Sequence, residues 1–267
     1  MTELRIITPS APLHSGPTTN ASLDNEGLFG ETFEVTGTKN DFLFGSLIAD
    51  GYEGWIPKNC LGDLPVPNAR LIAPMTHVTL RESVKSPSCF SLSFRAVVNV
   101  INTKGDRAKI ATATGHAFLP RRHVQLLANV KKKPSAENEL VDIDWVGFAE
   151  RLINAPYKWG GRTAWGLDCS ALVQLSLAAT GLDVPRDSGP QHEIGTHLDI
   201  ESCLSKSNLR RGDLVFWQGH VGIMQDHHRL LHANAYHMAV VSEPLEDAVT
   251  RISPIAGPIT ALRRPLF

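Results

Sequence analysis

The sequence has no excess of charge of either sign: 26 Lys and Arg stand against 27 Asp and Glu, a formal net of -1. A basic stripe of the kind that tracks a nucleic-acid backbone is therefore not expected, nor is an acidic disordered tail. Long apolar runs are also missing, and none approaches the roughly 20 residues needed to cross a bilayer. Met1-Thr2-Glu3-Leu4-Arg5 offers no basic stretch leading into an apolar segment, so the expectation is a cytoplasmic protein without a secretory leader. Cysteine is scarce, four residues in 267, and Cys60, Cys89, Cys169 and Cys203 form no CxxC pair. That spacing speaks against a disulfide framework and a zinc ribbon. What is present is 42% hydrophobic and 20% charged, enough to build a core, over a length suited to about two domains.

Residues 1 to about 130 read as β. Short apolar runs such as Thr32-Phe33-Glu34-Val35-Thr36, Phe42-Leu43-Phe44-Gly45-Ser46-Leu47-Ile48 and Val97-Val98-Asn99-Val100-Ile101 are cut by Gly, Pro, Asn and Asp, a pattern of small barrels. Gly54-Trp55-Ile56-Pro57-Lys58-Asn59-Cys60-Leu61 aligns with Ala117-Phe118-Leu119-Pro120-Arg121-Arg122-His123-Val124, a repeat displaced by 63 residues. Such a spacing suits one compact unit per copy. Lys131-Lys132-Lys133-Pro134-Ser135 reads as a solvated linker.

Beyond about 140 the period changes. Trp145, Phe148, Ala149 and Leu152 follow Asp144, an N-cap, at helical spacing, and the helix should stop at Pro156. A second helix is predicted from Cys169 through Leu172, Val173, Leu175 and Leu177 to a C-cap at Gly181. Strand candidates follow at Leu214–Gln218, His220–Gln225, Leu230–Asn234, Ala239–Ser242 and Ile259–Leu262. Helices first and an antiparallel sheet afterwards make this half α+β.

Cys169 stands apart from the other cysteines because it begins a helix, within Trp165-Gly166-Leu167-Asp168-Cys169-Ser170-Ala171-Leu172. Free N–H groups and the helix dipole favour an anion there, so the thiol pKa is expected to fall. Gly160, Gly161 and Gly166 upstream leave room for a substrate. His220 and His232 sit among apolar residues on neighbouring strand candidates. One could take the proton from sulfur while the other orients it, the logic of nucleophile, base and orienter. A metal reading of His227, His228, His232 and His237 would need a helix to bring His228 and His232 to one face, and the β-like run and the lack of HExxH argue against it. No metal and no cofactor are called for.

These residues carry a family resemblance. Asp168-Cys169-Ser170, Arg210-Arg211-Gly212-Asp213-Leu214-Val215-Phe216-Trp217, Gly219-His220-Val221-Gly222-Ile223 and His232-Ala233 look like the NlpC/P60 cysteine peptidases. Tyr157-Lys158-Trp159-Gly160-Gly161 and Pro185-Arg186-Asp187-Ser188 are also similar. The first half resembles the bacterial SH3-like (SH3b) modules such peptidases carry, most clearly in Gly51-Tyr52-Glu53-Gly54-Trp55-Ile56. The resemblance implies SH3b modules at 1–66 and, more divergent, 67–130, a linker at 131–139, and a papain-like peptidase domain at 140–267. It implies Cys169 as nucleophile, His220 as general base and later acid, and His232 as third polar residue. It further implies cleavage of murein (peptidoglycan) peptides between D-γ-Glu and the diamino acid.

A subgroup with SH3b modules and no signal peptide looks most similar, and it releases L-Ala-γ-D-Glu from murein tripeptides or tetrapeptides with a free amino end. In that reading Asp168 pairs with the substrate ammonium, Ser170 and Ser188 add hydrogen bonds, and Arg186 holds the loop or a substrate carboxylate by a bidentate contact. Tyr157 joins the Cys169 N–H as oxyanion donor, and Tyr52 and Glu31 contribute from the first SH3b module. Ala171 stands where Gly more often follows Asp-Cys-Ser, and Phe42-Leu43-Phe44 where a Trp often sits. The alternatives are a hydrolase of intact peptidoglycan using SH3b modules as wall anchors, a non-catalytic binding protein, and a papain-like amidase or acyltransferase. Nucleic-acid and membrane partners are not expected.

Overall fold

Two-residue turns set the geometry of the first half. Strand Thr32–Lys39 turns into Phe42–Leu47 through Asn40 and Asp41, and Val100–Lys104 turns into Arg107–Thr112 through Gly105 and Asp106. The first turn residue has positive φ in both, 53° at Asn40 and 54° at Gly105, as tight hairpins require. The 63-residue repeat is visible beyond these turns. Glu53–Pro57 and Gly115–Pro120 each run through proline into one turn of 3-10 helix, Lys58–Cys60 and Arg121–His123, and then into a short strand. The Lys58 N–H donates to Asp41 O at 2.9 Å, and the Arg121 N–H to Asp106 O at 2.8 Å.

The computed structural model describes residues 2–127, 144–205 and 208–266; the expected linker at 131–139 lies outside the described residues. The chain divides into two units, Met1–Lys133 with Gly160–Ala164, and Pro134–Trp159 with Trp165–Phe267. In the first unit a seven-stranded antiparallel sheet runs in the order Leu23–Leu28, Ser10–His14, Glu53–Pro57, Phe42–Leu47, Thr32–Lys39, Thr2–Ile6, Leu61–Gly62. Ile6, Leu13, Phe33, Leu47 and Ile56 fill its core. The second copy of the repeat lies in a five-stranded sheet, Ser88–Ser93, Met75–Thr79, Gly115–Pro120, Arg107–Thr112, Val100–Lys104, beside a three-stranded sheet, Val97–Val98, Ala69–Leu71, Val124–Leu126. The single strand expected over Val97–Ile101 is therefore two. The chain changes sheets at Asn99, whose O accepts from the Ala111 N–H at 2.9 Å and whose Nδ2 donates to Val66 O at 2.8 Å.

The second unit holds a six-stranded antiparallel sheet ordered Thr196–Leu198, Ala261–Arg264, Leu214–Trp217, His220–Met224, Arg229–Asn234, Ala239–Pro244. Its helices are α1 (Trp145–Glu150), α2 (Cys169–Ala178), α3 (Ser188–Gln191), α4 (Ile200–Ser205) and α5 (Leu245–Ala256). Asp144 caps α1 by accepting from the Gly147 N–H at 3.0 Å. That helix ends earlier than Pro156 because Asn154 adopts φ 70° and donates its N–H to Val240 O in the sheet. Arg211 clamps α1 through Asp144 and Glu150, each at 2.7 Å. Helix α2 is buried along its whole length, and Gly181 with φ 88° closes the turn after it. Among the described residues no helix is long and apolar enough to cross a membrane.

Candidate active site

Local sequence places each candidate reacting group. Asp168 is the extended residue before α2, and its Oδ1 accepts the Ala171 N–H at 2.9 Å, so Cys169 falls on the first helical turn. Trp217 and His220 close a hairpin through Gln218 and Gly219, where Gly219 takes φ 70°. The strand register pairs Ile223 with Leu231, and one step further sets Gly222 opposite His232. His220 and His232 thus share a sheet face, since side chains alternate along a strand.

The backbone N–H groups of Val221 and Ser170 lie close enough to the Cys169 sulfur to favour its anion, which puts it beside the strand that begins at His220. His220 Nε2 lies 2.8 Å from His232 Nδ1. His232 is fully buried, and its Nε2 lies 2.6 Å from Glu243 Oε1. Glu243 in turn is paired with Arg251 of α5, whose guanidinium lies 4.5 Å from the centre of the Tyr236 ring.

The electrostatics correct one expectation. Burial pushes the Cys169 thiol up to about 12, and the charge of Asp168 adds to this, while the two N–H groups and Arg186 oppose it. The helix start does supply its donor, but desolvation of a buried thiolate outweighs it. The resting group is a thiol, not the expected anion. Burial likewise pushes His220 down to about 3, assisted by His232 and Arg251 and opposed by Glu243. His232 is also lowered by burial, against the pull of Glu243. For Glu243, burial raises the value, but the His232 hydrogen bond and nearby positive charge more than reverse it, and the net shift is downward. Both imidazoles are therefore neutral near pH 7.

Tyr157 belongs to the same site. Burial, followed by repulsion from any charge that forms on Cys169 and from the charge of Asp168, pushes its hydroxyl up to about 12, so it is a donor at any physiological pH. Arg186 grips Asp168 with two bonds, Nη1–Oδ1 at 2.9 Å and Nη2–Oδ2 at 2.7 Å, and also donates to Ser170 Oγ at 2.9 Å. The bidentate contact expected of Arg186 is thus made to Asp168, which caps the helix as well. Ser170 Oγ donates to Asp168 at 3.1 Å. Ser188 opens α3, partly buried.

The two residues drawn from the first module, Glu31 and Tyr52, lie in the first unit. Glu31 is buried, with Oε1 2.5 Å from Arg162 Nη2 and Oε2 accepting the Leu28 N–H at 2.8 Å. It forms a buried ion pair within the first unit. Tyr52 is partly buried against the core of the same barrel. His227 and His228 precede the strand Arg229–Asn234, so His228 and His232 share no helical face.

Sequence reasoning missed Glu243, Arg251, Asn234 and Gln191. Gln191 is fully buried and donates to Ser170 O at 2.9 Å and to Pro185 O at 2.8 Å, which ties the loop after α2 to the helix that begins at Cys169. The available signal for Glu243 was an acidic residue closing an otherwise apolar and hydroxylated strand, Ala239–Pro244.

Two family matches fall on these two folds. Residues 154–252 match the NlpC/P60 family, and residues 13–61 match the bacterial dipeptidyl-peptidase Sh3 domain. The chain carries an NlpC/P60 domain together with a bacterial SH3 domain. Over 256 residues, 90% of this chain and 73% of the relative, it is 23% identical to a gamma-D-glutamyl-L-lysine dipeptidyl-peptidase of Bacillus cereus (strain ATCC 10987 / NRS 248). Over 122 residues, 43% of this chain and 58% of the relative, it is 32% identical to the murein DD-endopeptidase MepS/murein LD-carboxypeptidase of Escherichia coli (strain K12). The crystal structure of an NlpC/P60 family protein from Bacillus cereus ATCC 10987 has the same fold, with a TM-score of 0.79, 20% identity and 100% of each chain covered.

Proposed function

We propose that the chain is a cysteine peptidase that cuts the γ-D-Glu–diamino acid bond of murein peptides with a free N-terminal L-Ala, releasing L-Ala-γ-D-Glu in cell-wall peptide recycling. The observation that carries this is the placing of three groups together: the Cys169 sulfur lies beside the Val221 N–H, and the preceding residue, His220, is held by His232 at 2.8 Å. The name of the Bacillus cereus relative supports the bond assigned.

In this reading the Cys169 thiol gives its proton to neutral His220 as sulfur attacks the γ-carbonyl carbon. The negative charge that develops on oxygen is met by the Cys169 N–H and the Tyr157 hydroxyl, donors fixed before the reaction begins. The imidazolium then protonates the departing amine. Water, deprotonated by the same imidazole, hydrolyses the thioester and restores the thiol. Proton transfer and attack must be concerted, because a free thiolate at this site is disfavoured by burial and by Asp168. A substrate ammonium next to Asp168 would offset the second of these, so binding the free amine and activating the sulfur are coupled.

The test is mass spectrometry of products from L-Ala-γ-D-Glu-diamino acid peptides, with the amine free and acetylated. Release of L-Ala-γ-D-Glu from the free peptide is expected. Cleavage at another bond would overturn the assignment, and equal cleavage of both peptides would remove the role of Asp168. The similarity to a murein endopeptidase over 122 residues favours a second reading, hydrolysis of intact peptidoglycan with the SH3 part as a wall anchor. That reading requires binding to purified sacculi.

A further inference from the structure

A carboxylate can only accept hydrogen bonds, and this constrains both imidazoles. Glu243 Oε1 lies 2.6 Å from His232 Nε2, so that nitrogen carries the proton. In the neutral ring His232 Nδ1 is then an acceptor, and its partner at 2.8 Å, His220 Nε2, must be the N–H. The lone pair of neutral His220 therefore sits on Nδ1. A competing contact exists, because Asn234 Nδ2 lies 3.0 Å from the same His232 nitrogen. Its amide is oriented by Oδ1, which accepts from the His237 N–H at 2.8 Å. A donor in that position would favour the opposite tautomer, but the contact to Glu243 is shorter and charge-assisted, and it prevails.

We propose that Glu243 is a positioning residue that sets the tautomers of His232 and His220 together, presenting His220 Nδ1 to the sulfur, and that Arg251 keeps His232 singly protonated by neutralising Glu243. The charged and titratable groups acting on His232 are Glu243, Arg251 and His237, and those on His220 are His232, Arg251 and Glu243. Without Arg251 the carboxylate would draw a second proton onto His232. His232 Nδ1 would become a donor, the bond to His220 would reverse, and the His220 proton would move to the nitrogen that the sulfur needs. This inference rests on the assignment of His220 as general base.

The test uses the full-length chain with 15N-labelled histidine, where two-bond N–H correlation spectra report which ring nitrogen is protonated, alongside kinetics across pH. Nε2–H tautomers are expected at both His220 and His232. Glu243→Gln, close in shape, should give mixed tautomers and a kcat lower on the order of 100-fold at unchanged KM. Arg251→Gln should move the acid limb of the kcat profile to higher pH, by about one unit. An Nδ1–H tautomer at His220 in the unsubstituted chain overturns the proposal, as does a Glu243→Gln protein that loses activity with its tautomers unchanged. If the unsubstituted chain releases no dipeptide from murein peptides yet shows both Nε2–H tautomers, the peptidase reading fails and the tautomer assignment stands.

Discussion

Asp168 holds three things at once: the first turn of α2, the Ser170 hydroxyl, and the guanidinium of Arg186, which is itself 3% exposed. Removing one charge of a buried pair leaves the other without a counter-ion, a loss that typically costs about 3–5 kcal/mol. Asp168→Asn keeps the cap and the size of the side chain but strands the Arg186 charge. It is expected to lower unfolding free energy by roughly that amount in urea titrations, while an asparagine in that place remains an adequate cap. A loss below about 1 kcal/mol would show that Arg186 finds water or another partner. At this scale the sequence revealed the candidate reacting groups and little of what surrounds them. Cys169, His220 and His232 stand in local motifs that can be read residue by residue. Glu243 and Arg251 meet His232 only after the strand Ala239–Pro244 pairs with Arg229–Asn234 and α5 folds back, and no spacing along the chain encodes that meeting.

Elements were legible in proportion to their regularity. The strands Leu214–Trp217, His220–Met224, Arg229–Asn234 and Ala239–Pro244 lie within a residue or two of expectation because their apolar runs end at turn residues. Helix α5 escaped notice because it follows Pro244, has no side-chain cap, and contains Pro254 in its last turn. Helix α3 spans four residues, too few for a period to emerge. The sheet depends on one small residue in particular. A Cβ on Gly222 would come within 2.7 Å of Leu230 Cδ1 and 2.9 Å of its Cγ, and Leu230 is fully buried. Gly222→Ala is therefore expected to destabilise the second unit by about 1–3 kcal/mol, as overpacking does, and to lower kcat by shifting His220 against His232. Thermal unfolding and kinetics of the same variant check both effects. A stable Gly222→Ala protein with unchanged turnover would mean that Leu230 yields without moving the strands.

Across the whole molecule, the groups held away from their ordinary titration are unevenly shared. Among the described residues, the second unit contains His220, His232, Glu243, Asp144, Glu150 and Asp226 with lowered values; the first unit contributes His123. For a histidine lowered by folding, the unfolded chain takes up a proton at a pH where the folded chain does not. Stability is unaffected above the ordinary value of 6.5 and falls as pH drops toward the folded value, about 3 for His220. The carboxylates act in the same direction at lower pH. Their extra stability is present above the ordinary carboxylate range and is lost as pH falls through their lowered values. Asp144 is more than half exposed, so solvent screening keeps its share small. Between pH 7.5 and pH 5 the imidazoles dominate, with His220 alone contributing roughly 2 kcal/mol. Acid should therefore loosen the second unit before the first. In hydrogen exchange corrected for intrinsic rates, His220–Met224 and Arg229–Asn234 should lose protection at pH 5, while Thr32–Lys39 and Phe42–Leu47 keep theirs. Unchanged protection of His220–Met224 and Arg229–Asn234 at pH 5 would mean that His220 and His232 take up protons without unfolding the sheet, and would place their titration in the native state.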